Sequence, residues 1–422
     1  MRAASAVLTA VTGGPFPSRD RKARAVNSDQ ILGTFLDFFR DRGHRVLPSA
    51  PLVRPPSDPV LFTTSGMHPL TPYLTGRPHP LGTRLANVQR CLRTTDLDEV
   101  GDRTHLTVFA MLGSWSLGDY GTPRSLRWGH ELLVDGYGVD PRRLHATVFA
   151  GDERDRLGPD ADCLRTWQEL GVPVELLGGD NWWSNGPTGP CGPDSEIFVW
   201  TGDGPPQGAP SGDPRWIEVW NHVSMSYRRH TDGVLHPLPR GSVDTGLGLE
   251  RLVTVLQGRD SVYDSDVFAA WLPAVPRLWG VDGPSERRIV VDHLRAAAVL
   301  VADGVGPAAT GHGYVLRRLV RRVLTLLWRD DPSRTLGDLP PSPVEDTLRR
   351  FGLPQDRGQR VREVLLDEER RFGSLLERGR RVLSQRRFSG PLGEDDYAYL
   401  HDTHGLPREL VLTLRGEPVP RD

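Results

Sequence analysis

The run Ser242-Val243-Asp244-Thr245-Gly246-Leu247-Gly248-Leu249-Glu250-Arg251 gathers acids, two glycines and an arginine within ten positions. Two glycines flanking an apolar residue let a strand approach a ligand closely, and the helix that follows supplies an arginine one turn in. Asp244, just before the glycines, is suited to an ammonium group. A glycine pair of this kind also marks tight strand–helix packing, so the run alone leaves both readings open.

Two further segments carry similar potential. Residues 89–120 hold Gln-Arg-Cys-Leu-Arg, a short loop, and a return run from His105 to Tyr120, which predicts a hairpin bearing Arg90 and Arg93. Guanidinium groups pair bidentately with phosphate and carboxylate, so this hairpin is suited to a polyphosphate. The same arginines can instead form surface ion pairs with Asp96, Asp98 and Glu99. Residues 180–198 place Trp182 and Trp183 before a Gly/Pro-rich stretch that reads as a shaped loop, although paired tryptophans are more often core than ligand cage.

The cations in this chain are nearly all of one kind. Lys22 is its single lysine, leaving 51 of the 52 basic residues as arginine. A Walker-type phosphate loop, a protein-kinase lysine and a Schiff-base lysine are thereby excluded. Any phosphate must be held by arginine and backbone N–H groups. With 54 acidic residues the net charge is −2, so nucleic-acid contact requires a local patch and not a global field. Three scattered cysteines without a C-x-x-C pair argue against a disulfide scaffold, and no zinc is expected. No apolar run approaches the roughly 20 residues of a membrane helix, and a cytoplasmic protein fits best.

The elements that position these residues follow from patterning. The chain length of 422 allows two or three domains. Residues 1–26 lack an acid before Asp20 and read as a disordered extension. Ser28 is placed to cap a helix whose apolar stripe is Ile31, Leu32, Phe35, Phe38 and Phe39, ending at Gly43. From about 45 to 260, β-rich runs (VLFTT, HATVFA, EIFVW, WIEVW) alternate with Gly/Pro/Asp-rich connections and not regularly with helices. An α+β fold with an antiparallel sheet is therefore preferred to a doubly wound one. Beyond 285 the chain reads as arginine-rich helices separated by the Pro-rich stretch GDLPPSPVED.

Together these segments resemble the catalytic core of the alanyl-tRNA synthetase family, a class II aminoacyl-tRNA synthetase family. FTTSGM, QRCLR, MLGSWSLGDY, DNWW…TGPCGPDSEI, WNHV and SVDTGLGLER stand in family order, followed by DHLRAAAVLVADGV, GYVLRRLVRR and LHDTHGLP. The resemblance covers roughly residues 28–415. It implies a class II antiparallel sheet of six to seven strands over 27–260 and an all-helical, tRNA-recognition-like domain over 261–422. The implied reaction joins an amino acid to ATP as aminoacyl-adenylate, with Mg²⁺, and then transfers it to the 3′ end of tRNA. By position in the motifs, Arg93 would contact the α-phosphate and carboxylate, and Arg251 the ATP tail. Phe109 would stack adenine, with His105 and Gly248 also on the ATP side. Glu196 would contact Mg²⁺. Asp244 would hold the ammonium, while Met67, Trp183, Asn221 and Val223 line a small pocket and Gly246 leaves room beside it. A pocket of that kind discriminates by size, and one methylene is worth only about 1–3 kcal/mol, so glycine and serine are natural competitors of alanine.

Four departures accompany the resemblance. The loop after Arg93 reads Thr-Thr-Asp-Leu, about four residues shorter than the family's and without its lysine. A family histidine before the return strand is Leu106 here, with His105 adjacent. The family asparagine that reads the acceptor stem falls at about Ala309, while its aspartate partner persists as Asp402. The editing and C-terminal oligomerisation domains do not follow. These differences concentrate on the tRNA side. Arg317, Arg318 and Arg321 offer a patch that can bind phosphate without reading sequence, unless Glu363, Asp367, Glu368 and Glu369 neutralise it. A tRNA-charging ligase is preferred. The alternatives are transfer to a small molecule or carrier protein, or a non-catalytic regulator.

Overall fold

In the computed structural model, which describes residues 26–417 except 56, 57 and 59, the first helix spans Ser28–Asp41. Asn27, not Ser28, caps it. The Asn27 side chain accepts from Gln30 N while Gln30 Oε1 accepts from Asn27 N, a reciprocal capping box. Ser28 is instead buried, its N–H and hydroxyl donating to Asp266 Oδ2 at 2.9 and 3.0 Å. Ile31, Phe35 and Phe39 of the expected stripe are buried. The extension expected over 1–26 lies, Val26 aside, outside the described residues.

The chain divides into two compact units. The first takes the described residues up to Leu52, then Phe62–Arg93 and Arg103–Ala269; the second takes Val53–Leu61, Thr94–Asp102 and the chain from Ala270. All strands belong to the first. They are β1 (Arg45–Val46), β2 (Arg84–Leu92), β3 (Val108–Ser116), β4 (Leu144–Phe149), β5 (Val174–Leu177), β6 (Trp182–Ser184), β7 (Gly189–Trp200), β8 (Trp216–Arg229) and β9 (Leu235–Gly248). They form one sheet in the order β1-β2-β3-β9-β8-β7-β4-β5, with β6 paired to β7.

The sheet is mixed, and larger than the six or seven antiparallel strands expected. From β2 to β4 the path is antiparallel throughout, whereas β1 joins β2 and β5 joins β4 in parallel. The run VLFTT forms no strand. Two register shifts bend the central pair β7–β8, one between Cys191 and Asp194 and one between Ile197 and Phe198. At the second, Trp220 and Glu218 face consecutive β7 residues, so Val219 is the extra residue of a bulge. One face of the sheet is closed by apolar and aromatic packing, with Phe35 and Phe39 against Trp220 at ring-centroid distances of 6.0 and 6.4 Å.

The second unit is helical. Its longer helices are Pro284–Ala302, Gly311–Asp330, Pro341–Arg350, Arg357–Leu383 and Glu394–His404. The Pro-rich stretch does more than separate helices: Pro341 opens one, in the first-turn position where its missing N–H costs nothing. Leu316, Leu319, Val320, Val323, Leu324 and Leu327 recur at helical spacing and are buried, which fixes the face that Gly311–Asp330 turns inward. Among the described residues no helix is long and apolar enough to cross a membrane.

Candidate active site

Strand register assembles the candidate residues on the other face of the sheet. One row crosses six strands as Asn87, Gly113, Gly246, Asn221, Glu196 and Thr147. The neighbouring row reads Leu85, Trp115, Asp244, Val223 and Asp194. Because alternate residues of a strand share a face, both rows point the same way, together with Phe109 and Met111 of β3 and Gly248 of β9.

The expected amino-acid residues come together. Met67, Trp115 and Val223 belong to one buried cluster, against which the partly buried Trp183 packs. Asp244 lies between Trp115 and Val223 and accepts a hydrogen bond from Trp115 Nε1 at 2.6 Å. Burial pushes its carboxyl up to about 7, an effect opposed by the Trp115 bond. Asn221 Oδ1 is buried without a hydrogen-bond partner, and its amide nitrogen is 3.5 Å from Asp194. A buried acceptor in this condition is costly unless a ligand donor meets it. The space over Gly246 is not open: a Cβ there would stand 2.9 Å from Met111 Sδ, so the glycine admits the methionine side chain.

Asp194, Met111 and Trp115 were not anticipated. Asp194 is buried, accepts from Asn181 Nδ2 at 2.8 Å, and is pushed up to about 7 by desolvation. Strand alternation places it on the same face as Glu196, two residues on, and was the signal available in the sequence.

The nucleotide-side candidates gather about the β2–β3 hairpin and the helix Leu249–Leu256. The Arg93 guanidinium lies 5.0 Å from the centroid of the Phe109 ring, and its Nε–H donates to Thr64 O at 3.3 Å. His105 sits in the loop before β3, where its carbonyl accepts from Tyr263 OH at 2.9 Å. Arg251 pairs with Glu218 at 2.5 Å. The Val219 bulge turns Glu218 to the same face as Glu196. Burial, then Glu218 and then Asp194 raise the Glu196 carboxyl well above the usual range. Glu250, also missed, is buried and accepts from Ala110 N through both oxygens at 3.3 and 3.1 Å, pinning β3 to the start of the helix.

Considered by itself, the second unit holds a cleft of about 680 Å³ lined by Ala308, Ala309, Arg317, Arg321, Arg370, Arg371, Arg378 and His404, among others. Arg321 and Arg317 lie 2.6 and 3.4 Å from Glu368, which is buried beneath them. Arg318 turns elsewhere and pairs with Asp98 at 3.0 Å. Asp402 is exposed, bonded to His401 Nδ1 at 2.9 Å, and does not line the cleft. Of the four neutralising acids expected, Glu368 pairs with this patch, Glu363 pairs with Arg360, Asp367 with Arg370, and Glu369 accepts from Leu336 N.

Residues 30–417 match the family described as tRNA synthetases class II (A). The alanine–tRNA ligase of Treponema pallidum is 40% identical, over 93% of this chain and 69% of that protein. The alanine–tRNA ligase of Rubrobacter xylanophilus is also 40% identical, over 93% of this chain and 48% of that protein. More distantly, a solved histidyl-tRNA synthetase of S. aureus aligns at 12% identity and a TM-score of 0.35, over 56% of this chain and 67% of that one. The chain thus belongs to the class II (A) tRNA synthetases and, within them, to the alanine–tRNA ligase family. It spans from about half to about two thirds of the length of these two curated relatives.

Proposed function

We propose that this chain activates L-alanine with ATP as alanyl-adenylate and transfers the alanyl group to tRNA. The first unit would be the adenylation domain and the helical unit the tRNA-recognition region. One observation carries the reading: Asp244, Asn221, Glu196 and Phe109 project from one face of the sheet in strand register, with Arg93 stacked beside Phe109.

Alanine enters as a zwitterion. Its ammonium donates to the Asp244 carboxylate and to Asn221 Oδ1, while its methyl meets Met67, Val223 and Trp183. The carboxylate is already a nucleophile, so the chain need only align it and neutralise charge. An oxygen of the carboxylate attacks the α-phosphorus as the bond to the β-phosphate oxygen breaks, and pyrophosphate departs with that electron pair. Arg93 bridges carboxylate and α-phosphate, Phe109 stacks adenine, and Arg251 exchanges Glu218 for the ATP tail. In the second step a ribose hydroxyl at the tRNA 3′ end displaces AMP from the alanyl carbonyl.

The residues present also fit Mg²⁺. Burial, Glu218 and Asp194 oppose ionisation of Glu196, and a divalent cation placed among these carboxylates would favour their charged forms. No cluster of three or more His, Cys, Asp or Glu is arranged to hold a metal among the described residues, so Glu196 and Glu218 would complete the shell of an ion arriving on ATP phosphates. Mg²⁺ supplies charge neutralisation to the departing pyrophosphate.

For the tRNA, the arginine cleft supplies phosphate contacts, and Ala309 presents a methyl group where a base-reading amide would otherwise stand. ATP–pyrophosphate exchange should depend on L-alanine, more than on glycine or serine, and total tRNA should accept labelled alanine into acid-precipitable form. No exchange with any small amino acid would remove the adenylation reading, and exchange without tRNA labelling would remove the acceptor.

A further inference from the structure

Trp115 is buried on the site face, and three separate features fix its ring. A Cβ on Gly113 would stand 2.1 Å from Trp115 Cη2, and one on Gly66 would stand 2.8 Å from Cζ2, so both glycines form a socket that admits the indole. The third feature is the bond from Nε1–H to Asp244 Oδ1, at 2.6 Å. Ring packing explains a buried tryptophan; it does not explain why the N–H is aimed at the one carboxylate in its row meant for substrate. Four other buried tryptophan N–H groups donate to Ser195, Gln207, Thr335 and Thr347, none of them charged.

We propose that Trp115 is a positioning residue for amino-acid binding: its indole N–H locks one oxygen of Asp244 so that the other, ionised, receives the ammonium of the substrate. This rests on the proposed function. The surroundings leave Trp115 as the polar partner of Asp244. β8 opposes it with Val223, while the helical segment from Met67 to Leu74 contributes Met67, Leu70 and Leu74 to the same cluster. The nearest carboxyl along the row, Asp194, faces Val223, and the Cys91 thiol on β2 senses the charge of Asp244. Burial raises the Asp244 carboxyl and the indole bond opposes that rise.

Trp115→Phe keeps the ring plane and removes the donor. In alanine-dependent ATP–pyrophosphate exchange, the variant should raise KM for alanine about tenfold at pH 7, leave KM for ATP unchanged, and move the acid limb of kcat/KM for alanine to higher pH. An unmoved acid limb with an unchanged alanine KM would overturn the proposal. The unmutated chain provides a second measurement, grown with 5-fluorotryptophan. One fluorine resonance should titrate with a midpoint near pH 7 and lose that titration in Asp244→Asn; its absence also overturns the proposal. Wild-type protein without exchange counts against the functional reading alone, and the fluorine titration still decides the Trp115–Asp244 coupling.

Discussion

Asp244 sets two properties against each other. Under the proposed function its carboxyl must be ionised to hold an ammonium, yet burial raises it to about 7. In the unfolded chain an aspartate titrates near 3.9, so the folded value is the higher one. The sign follows: this group's contribution to stability is full below about pH 4 and is lost as pH rises through 7. Asp244→Asn should therefore make the ligand-free protein more stable at pH 8, by about 1–3 kcal/mol in chemical denaturation. The same variant should raise the alanine KM by about a hundredfold, because a neutral amide cannot pair with the ammonium. In the wild type, alanine affinity should fall as pH drops below about 7, seen as a rising KM in exchange assays. Constant KM between pH 6 and 8 would contradict this account.

The bulges of β7 and β8 decide which side chains reach the site. Gly192 lies at the first register shift, where an added Cβ would stand 1.9 Å from Ser224 O. Backbone on the neighbouring strand has no rotamer by which to yield, so Gly192→Ala should cost at least about 1–3 kcal/mol in denaturant unfolding. It should also reduce exchange activity, because the shift sets the aim of Asp194. Strand-level features explain what was and was not legible in the sequence. Asp244 and Arg93 were found from residue type and spacing, Asn221 and Val223 through motif resemblance, and the extended runs around them place all four on one face. Glu218 was not, because simple alternation from Asn221 puts it on the opposite face and only the extra Val219 brings it back. The two-residue β1 is too short to show a period of two, and its parallel pairing to β2 was hidden for that reason. VLFTT has the β-branched composition of a strand but not the pairing, which composition does not encode. Trp115 reads as core by type, and its N–H bond depends on a cross-strand register that the sequence does not print.

For the molecule as a whole, the two units should separate in function. Replacing Arg370, Arg371 and Arg378 together by alanine removes three cations from the helical cleft and none from the sheet. Exchange activity should be unchanged, while tRNA binding weakens and its logarithmic salt dependence becomes shallower by up to about two to three. An unchanged salt slope would place tRNA elsewhere. The cations that line that cleft are guanidiniums, and no lysine occurs among the described residues. Guanidinium keeps its proton far beyond physiological alkalinity, so the grip on a polyanion should not slacken between neutral and mildly basic buffers. Acylating reagents that neutralise amines, including any activated alanyl ester escaping the sheet, find nothing to modify there. Dicarbonyl reagents selective for arginine are the chemical handle left for mapping where RNA lies.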